Sequence, residues 1–474
     1  MARAAATLSP PAPRADARAA GAAFRRELWG WSALAVGALG VAGVGLVLAL
    51  SRIPGIERLL TLPVGLFEKA LVVHVVFSFV VWFLAVFGAL LLLATHRAAG
   101  GAPRFAWLGT AAVAGMAIAA LLLFAPTLLD RGRPTLNNYV PVIIDPLYYA
   151  GLAVMAAAMT LPVVRLVLNL RRNAAAAADP LPLAMAAGGL IYGVALVCFM
   201  LAWAPLSGEA PSHAFNEDLF WGGGHVLQFL NTLLLVVAWS LLAGHAFGEA
   251  VPHRAIVLAA AALLAVAVLP APFLYVVFEP FSAAQTVTFT NLQYALAPPT
   301  VLVAAAIAMR RNGPLPWRQP AFVCLALSVT VFAIGGVLGL FVDGADTRTP
   351  AHYHGVIAGV TVAFMGLFYT EFLPRLQRPL GRGKALFVQV YLFAGGQLAA
   401  CIGLFLAGGY GAPRKTAGAD QSLEAMGAIV GMALNGIGAL FAGVGGILFI
   451  WIVATALLRP ARAGGSIDDR RARP

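Results

Sequence analysis

The chain has 474 residues, of which 61% are hydrophobic and 11% charged, and its mean hydropathy is +0.88. Soluble domains carry about 25% charged residues, so this composition excludes a soluble globular protein. The formal net charge of +12 suggests nucleic acid, but such binding needs a basic face on a soluble domain. The apolar stretches leave no room for one, and we expect no nucleic-acid partner.

Apolar stretches long enough to cross a bilayer, about 20 residues each, recur along the whole chain. Twelve of them predict an all-α integral membrane protein, a single bundle that forms one domain over residues 28–458. Residues 1–27 lack the apolar core of a signal peptide and are predicted to be a disordered cytoplasmic tail, and residues 459–474 a second cytoplasmic tail. The predicted spans are residues 28–51, 67–94, 105–129, 146–170, 181–204, 218–244, 255–278, 287–309, 320–342, 351–374, 385–408 and 426–457.

The distribution of basic residues predicts the orientation of the bundle. With the N-terminus inside and the spans alternating, most of the 31 Lys and Arg residues fall on cytoplasmic loops and tails. This is the positive-inside bias, and it places both termini in the cytoplasm. The basic pI then reflects topology and contact with anionic membrane lipid. We expect a multi-pass protein of a bacterial-type inner membrane.

Three cysteines, Cys198, Cys324 and Cys401, lie singly within separate spans. We interpret them as small apolar core residues. The sequence contains no Cys-X-X-Cys-His, so no covalently attached c-type haem is expected on this chain.

Four of the eight histidines lie at span ends or in a loop, where we expect no cofactor role. His96, His245 and His253 fall at predicted cytoplasmic helix ends, and His213 falls in the loop before span six. A titratable ring at such a position is solvated.

The other four histidines lie inside spans two, six and ten, at His74, His225, His352 and His354. Each is within about eight residues of the outer end of its predicted span, or roughly 12 Å. A helix turns about 100° per residue, so His352 and His354 point to nearly opposite sides. Any one of them taken singly is explained by a helix–helix hydrogen bond. Four imidazoles in one layer of a membrane favour axial ligation of haem iron.

The segment Ala351-His352-Tyr353-His354-Gly355-Val356 resembles subunit I of the haem–copper oxidase superfamily, which includes cytochrome c oxidases and nitric oxide reductases. The resemblance covers nearly the whole chain, with histidines on spans two, six and ten. It implies that His352 is the proximal ligand of a high-spin haem. It also implies that His74 and His354 are the two axial ligands of a low-spin haem, and we expect both haems to be of b type.

The segment from Asp218 to Gln228, Asp-Leu-Phe-Trp-Gly-Gly-Gly-His-Val-Leu-Gln, resembles the span-six motif of the same superfamily. The resemblance makes His225 a ligand of a second metal opposite the high-spin haem. The chain departs from the family because no histidine lies between His253 and His352, so the span-seven pair that completes a copper site is missing. Position 229 is Phe, where A-type oxidases have a cross-linked tyrosine.

Glu279 is the candidate replacement for the missing pair. A histidine, this carboxylate and an amide oxygen would suit non-haem iron better than copper, with the amide drawn from Gln228, Gln285 or Asn291. A solvated loop carboxylate is the alternative reading of Glu279. Tyr275 is a candidate donor of a proton or hydrogen atom, because C-type oxidases use a span-seven tyrosine, and ordinary packing is its alternative.

The resemblance implies a membrane dihaem oxidoreductase subunit that passes electrons from the low-spin to the high-spin haem and reduces O₂ or NO in respiration. Two alternatives remain open: a nitric oxide reductase-like enzyme with an altered non-haem metal site, and a dihaem gas-binding or electron-transfer protein without a second metal (Fe or Cu). The chain has no cysteine cluster of the Cu-A type. We therefore expect electrons from a partner subunit in a hetero-oligomer, from cytochrome c or from a quinol.

Overall fold

The described residues include twelve helices long and apolar enough to cross a membrane, as the sequence predicted. The structure is a computed structural model, and it describes residues 15–56, 64–170, 179–248, 251–310, 313–342, 344, 346–380 and 383–460. The membrane-spanning stretches of the twelve helices are α1 Gly21–Leu50, α2 Gly65–Ala99, α3 Ala106–Leu128, α4 Pro146–Asn169, α5 Pro180–Leu206, α6 His213–Phe247, α7 Arg254–Val277, α8 Ala283–Met309, α9 Pro320–Phe341, α10 Arg348–Arg375, α11 Lys384–Gly409 and α12 Met426–Leu458.

Several of these helices change their hydrogen-bonding pattern along their length. In α2, a π-helical turn Val76–Val81 joins Val64–Val75 to Trp82–Ala99, and in α10 a π-helical turn Phe368–Phe372 joins Arg348–Leu367 to Leu373–Arg375. Such turns are frequent at functional sites, and these two helices carry three of the four histidines found within spans. The other breaks are Ala15–Ala42 with Gly45–Leu50 in α1; Arg254–Val268, Ala271–Phe273 and Leu274–Val277 in α7; Ala283–Leu292, Gln293–Leu296 and Ala297–Arg310 in α8; and Pro320–Leu338 with Gly339–Phe341 in α9.

Short polar side chains fix where three of the helices begin. Asp145 and Asp179 each precede a proline and accept a hydrogen bond from the backbone N–H two residues on, at 2.9 and 3.0 Å. Ser212 accepts from the N–H of Phe215 at 3.1 Å. These are ordinary N-cap geometries, and proline occupies the first helical position after Asp145 and Asp179.

The first helix begins earlier than predicted. It runs from Ala15, so the expectation of disorder is wrong for residues 15–27, and residues 1–14 lie outside the described residues. Glu27 is buried and its carboxylate contacts the Arg165 guanidinium of α4 at 2.7 Å. Burying the Arg165 charge in a membrane requires an opposite charge, and extension of α1 supplies it. Of the second predicted tail, residues 461–474 lie outside the described residues.

A short β-hairpin between α3 and α4 was not predicted. Its strands β1 (Arg133–Thr135) and β2 (Val142–Ile144) are antiparallel, with Thr135 opposite Val142. The hairpin packs with the connection between α11 and α12, where Lys415 donates to the Leu136 carbonyl and Arg414 donates to Asn138 Oδ1 at 3.2 Å. We call this face of the bundle, formed by residues 129–145 and 410–425, the hairpin end.

The three helices that carry the span histidines, α2, α6 and α10, are the most deeply buried of the twelve. One polar chain ties α6, α9 and α10 together: Trp239 Nε1 donates to Ser328 Oγ at 2.7 Å, and Ser328 Oγ donates to the Gly359 carbonyl at 2.6 Å. The remaining helices form an apolar layer around this centre. The histidines therefore lie on the elements that the bundle shields best from solvent and lipid.

Candidate functional site

His352 and His354 lie on opposite sides of α10. His352 Nδ1 donates to the Gly335 carbonyl of α9 at 2.8 Å. His354 lies within electrostatic reach of His74 and Arg52. Tyr353, between them, remains partly exposed. The 100° rotation per residue thus directs the two imidazoles to different neighbours, as the sequence predicted.

His74 is held against a break in α1. Its Nδ1 donates to the Ala42 carbonyl at 2.8 Å, and Ala42 is the last residue of the first helical segment. A Cβ added at Gly45 would lie 2.1 Å from His74 Nδ1, so only glycine allows this approach. Because Nδ1 carries the proton, His74 Nε2 keeps its lone pair.

Arg52 is an unpartnered buried charge beside these histidines. Its Nε and Nη2 atoms are buried and have no hydrogen-bond partner within the described residues, although the neighbouring Tyr353 and His354 are close enough to interact with its charge. Burial lowers the pKa of Arg52. The sequence interpretation missed this residue, and its only signal is a basic side chain at the predicted outer end of span one.

Both ring nitrogens of His225 are engaged by protein groups. Nδ1 donates to the Trp221 carbonyl at 2.7 Å, and Nε2 is 2.9 Å from the Tyr139 hydroxyl. The rings of Tyr139, Trp221 and Phe289 surround the imidazole, with centroids 4.5, 4.8 and 6.0 Å away. Because α6 begins at His213, in the segment predicted as a loop, His225 also lies deeper in its helix than predicted.

The other predicted ligands of a second metal do not converge on His225. Glu279 is exposed in the turn between α7 and α8, as its loop reading predicted. Gln285 accepts from the Phe281 N–H at 2.8 Å and donates to the Leu274 carbonyl at 3.2 Å. Gln228 donates back to the Gly224 carbonyl of its own helix at 3.3 Å. Across the described ranges, no group of three or more His, Cys, Asp and Glu side chains could hold a metal ion.

Tyr275 lines a cavity of about 350 Å³ beside α6. Its hydroxyl approaches the α6 backbone, because a Cβ added at Gly222 would lie 2.2 Å from it. The cavity also contains the carboxylates of Glu217 and Asp218, which the sequence interpretation did not select. Its lining is completed by Asn138, Trp221, Gly222, Phe281, Gln285, Thr286 and Phe289.

A second polar cluster lies at the opposite end of the bundle. Glu371, a buried carboxylate of the π-helical turn in α10, contacts His245 Nε2 at 2.5 Å and the Arg375 guanidinium at 2.7 Å. His245 was predicted to be a solvated histidine without a cofactor role, and the structure pairs it with a protein carboxylate.

The fold and these contacts define a class: a polytopic helical membrane protein whose most buried helices carry His74, His225 and His352, each anchored by a hydrogen bond to a backbone carbonyl. The family model described as "Cytochrome C and Quinol oxidase polypeptide I" matches residues 28–441. The chain belongs to this family, as the resemblance on spans two, six and ten predicted.

Two relatives and one solved structure are similar to this chain over most of its length. The chain is 26% identical to an uncharacterized protein of Aquifex aeolicus (strain VF5) over 343 residues, 72% of this chain and 83% of that one. It is 23% identical to uncharacterized protein RP382 of Rickettsia prowazekii (strain Madrid E), over 89% of this chain and 94% of the relative. A haem–copper terminal oxidase dimer has the same fold, with a TM-score of 0.77 at 17% identity, covering 94% of this chain and 86% of that chain.

Proposed function

We propose that the chain is a membrane dihaem oxidoreductase subunit that passes electrons from a low-spin to a high-spin haem and reduces O₂ or NO. The observation that carries the proposal is the pair of imidazoles on opposite sides of α10, one beside His74 and the other against α9. Family membership supports the same class of chemistry. We propose a bacterial inner membrane as its location.

Two observations support the binding of haem by these residues. His74 and His352 each donate Nδ1–H to a backbone carbonyl, which leaves Nε2 as the nitrogen that can bind iron. The unpartnered guanidinium of Arg52 is suited to the carboxylate side chains of haem, because arginine–carboxylate hydrogen bonds are among the strongest in proteins. His74, His354 and Arg52 would therefore hold one haem together, and His352 would hold the other.

The protein residues divide the chemistry between the two sites. Haem held by His74 and His354 would supply one-electron transfer, and haem held by His352 would supply binding and reduction of a gas. The two imidazoles would leave no place for a gas at the first site, whereas His352 alone would. The cavity lined by Tyr275, Glu217 and Asp218 is the candidate source of protons for this reaction.

Electrons would come from a partner subunit in a hetero-oligomer, from cytochrome c or from a quinol.

The test is reduced-minus-oxidised absorbance spectroscopy of the purified chain, with and without CO. We expect two b-type haems, one of which binds CO. His352→Ala should abolish CO binding and retain the bis-imidazole spectrum, and His74→Ala should do the reverse. His96→Ala is the matched control, because this ring packs on Phe24 with a centroid distance of 4.7 Å and should change neither signal. A chain without haem absorbance contradicts the proposal.

A second candidate function is gas binding or electron transfer without a second metal. The contact between His225 and Tyr139 favours it, and the exposed position of Glu279 does not support the altered non-haem iron site of a nitric oxide reductase-like enzyme. Consumption of O₂ and of NO by the reduced chain, measured with electrodes, separates the candidates. A dihaem chain that binds CO but consumes neither gas is the outcome expected of the second function.

A further inference from the structure

The metal-binding nitrogen of His225 faces a tyrosine. Because the Trp221 carbonyl can only accept, the Nδ1 atom of His225 carries the proton and Nε2 carries the lone pair. The Tyr139 hydroxyl lies 2.9 Å from Nε2 and is the donor in that hydrogen bond. A metal-binding histidine would offer the Nε2 lone pair to the metal ion. In this protein the same lone pair accepts a hydrogen bond from the Tyr139 hydroxyl.

Within the part of the chain that the structure describes, no cluster of His, Cys, Asp and Glu side chains around His225 supplies the donors that a second metal requires. Copper and non-haem iron are held by several nitrogen, sulfur or carboxylate donors. The imidazole is instead enclosed by the aromatic rings of Tyr139, Trp221 and Phe289. The residues that the family motif and the sequence suggested as ligands do not fit a second metal ion.

Tyr139 is held in place by its neighbours on three elements. Asn138 donates its backbone N–H and its side-chain amide to the two carboxylate oxygens of Glu217 on α6, at 2.7 and 2.6 Å. Arg414 donates to Asn138 Oδ1 at 3.2 Å, and Asn137 Nδ2 donates to the Val140 carbonyl at 2.5 Å. The hairpin is therefore fastened both to α6 and to the connection between α11 and α12.

The backbone at Tyr139 adopts a conformation that tyrosine rarely occupies. Its φ is +61°, in the left-handed region that disfavours large side chains. Such conformations persist where the surrounding structure enforces them, and they cluster at functional sites. The hydrogen bonds of Asn137 and Asn138 provide that enforcement and direct the Tyr139 ring towards α6.

Gly224 on α6 leaves room for the side chain of Tyr139. A Cβ at position 224 would lie 2.6 Å from Tyr139 Cβ and 2.7 Å from its Cγ, so any other residue would displace the tyrosine. The last glycine of the Gly-Gly-Gly-His segment therefore makes the space that the Tyr139 ring occupies beside His225.

We propose that Tyr139 is a positioning residue of this site and that its hydroxyl, rather than a second metal ion, is the partner of His225. This inference rests on the proposed function, which assigns the gas-binding haem to His352 on α10. The helix of His225, α6, packs against α10. The hydrogen bond between Tyr139 and His225 fixes a phenol and an imidazole on the α6 side of the gas-binding site. The two haem irons are then the only redox metals that the chain carries.

Metal analysis of the purified full chain is the first test. Cells are supplied with copper and iron, and metals are measured by mass spectrometry against haem measured as the pyridine haemochrome. We expect iron equal to haem and no copper, with the same result for His225→Ala. One copper or one extra iron per chain, lost in His225→Ala, would overturn the inference. A chain without haem would instead reject the proposed function.

Tyr139→Phe tests the positioning role. We expect it to shift the stretching band of CO bound to the reduced chain, measured by infrared spectroscopy, and to leave haem content unchanged. Tyr148→Phe is the matched control, because its hydroxyl bonds the Pro141 carbonyl of the same hairpin at 3.0 Å and does not contact His225. A Tyr139→Phe spectrum identical to wild type and to Tyr148→Phe would refute the role.

Gly224→Ala provides an independent variant if Tyr139→Phe does not fold. It keeps the phenol in the chain but introduces a methyl group where the Tyr139 ring lies. We expect the CO band to shift as in Tyr139→Phe, because the hydrogen bond to His225 is broken by displacement rather than by removal. An unshifted band with normal haem content would count against the inference.

Discussion

The environment of Arg52 favours a negatively charged ligand. A buried guanidinium with unpartnered Nε and Nη2 atoms is costly, because a buried donor without an acceptor loses its hydration and gains nothing. No protein carboxylate within the described residues pairs with it. A negatively charged group bound beside His354 would remove this cost, and the carboxylates of haem have the required charge.

We predict opposite effects of Arg52→Met on the haem-free and haem-bound chain. Without haem, the variant should be more stable by about 1–3 kcal/mol, because an unsatisfied buried polar group is removed. With haem, it should bind haem less tightly, and the midpoint potential of the low-spin haem should fall because a nearby positive charge is lost. Thermal unfolding and a redox titration measure the two effects. Equal destabilisation of both forms would show that Arg52 has only a structural role.

The pair Glu27–Arg165 determines how two elements meet, since it joins α1 to α4 in the interior of the bundle. Its N–O distance is 2.7 Å and both side chains are almost fully buried. Removing one partner of such a pair leaves an isolated charge and costs about 3–5 kcal/mol, whereas replacing both with apolar residues is often neutral.

We therefore predict that Arg165→Met and Glu27→Leu each lower the thermal unfolding temperature in detergent and that the double variant restores it. Arg97→Met is the control, because Arg97 pairs with Asp179 at 3.0 Å with both side chains partly exposed, and such pairs contribute little. Additive losses in the double variant would contradict this account of the ion pair.

The start of α10, which carries both haem-ligand candidates, is held by Asp346. Its carboxylate accepts from the Arg348 backbone N–H at 2.8 Å and contacts the Arg348 guanidinium at 2.7 Å. Burial opposes its charge, but the hydrogen bonds and the positive charge of Arg348 outweigh burial, and the pKa of Asp346 lies below its ordinary value of 3.8.

Asp346→Asn should lower stability by about 2 kcal/mol at neutral pH, because hydrogen bonds to a charged group are lost. Since the folded-state pKa is depressed, the stabilisation is present above pH 3.8 and is lost as the pH falls through the folded-state value. The difference in unfolding temperature between wild type and variant should therefore shrink at acid pH. A difference that stays constant across this range would contradict the assignment.

At the scale of the whole molecule, the twelve spans found among the described residues predict that the start of α1 and the end of α12 lie on one side of the membrane. The positive-inside bias predicts that this side is the cytoplasm and that the hairpin end faces outwards. The three native cysteines are buried, so single introduced cysteines can be labelled against a low background.

We predict that Glu424→Cys, at the hairpin end, reacts with a membrane-impermeant maleimide in intact bacterial cells. Gly101→Cys, in the connection between α2 and α3 at the opposite end, should react only after the cells are broken. Both positions are exposed, so accessibility across the membrane is the only variable. The reverse pattern would invert the proposed orientation.

Local sequence patterns were sufficient for the span count. Twelve spans could be predicted because each must satisfy its own backbone hydrogen bonds in lipid, which makes the signal local. The opposed directions of His352 and His354 follow from helix geometry alone. The helical start of α1 at Ala15 could not be predicted, because the reason for burying Glu27 is a charge 138 residues away.

The sequence by itself determined the class of protein, the helices and the imidazoles that lie within them, because these depend on hydrophobicity and helical periodicity. Only the tertiary structure determined which side chain hydrogen-bonds to His225 Nε2. Tyr139 is 86 residues from His225 in sequence and lies on a hairpin with no membrane signal. Its position depends on Asn138, Glu217 and Arg414, three side chains from three elements. Contacts between distant segments depend on how the helices pack, and no local pattern encodes them.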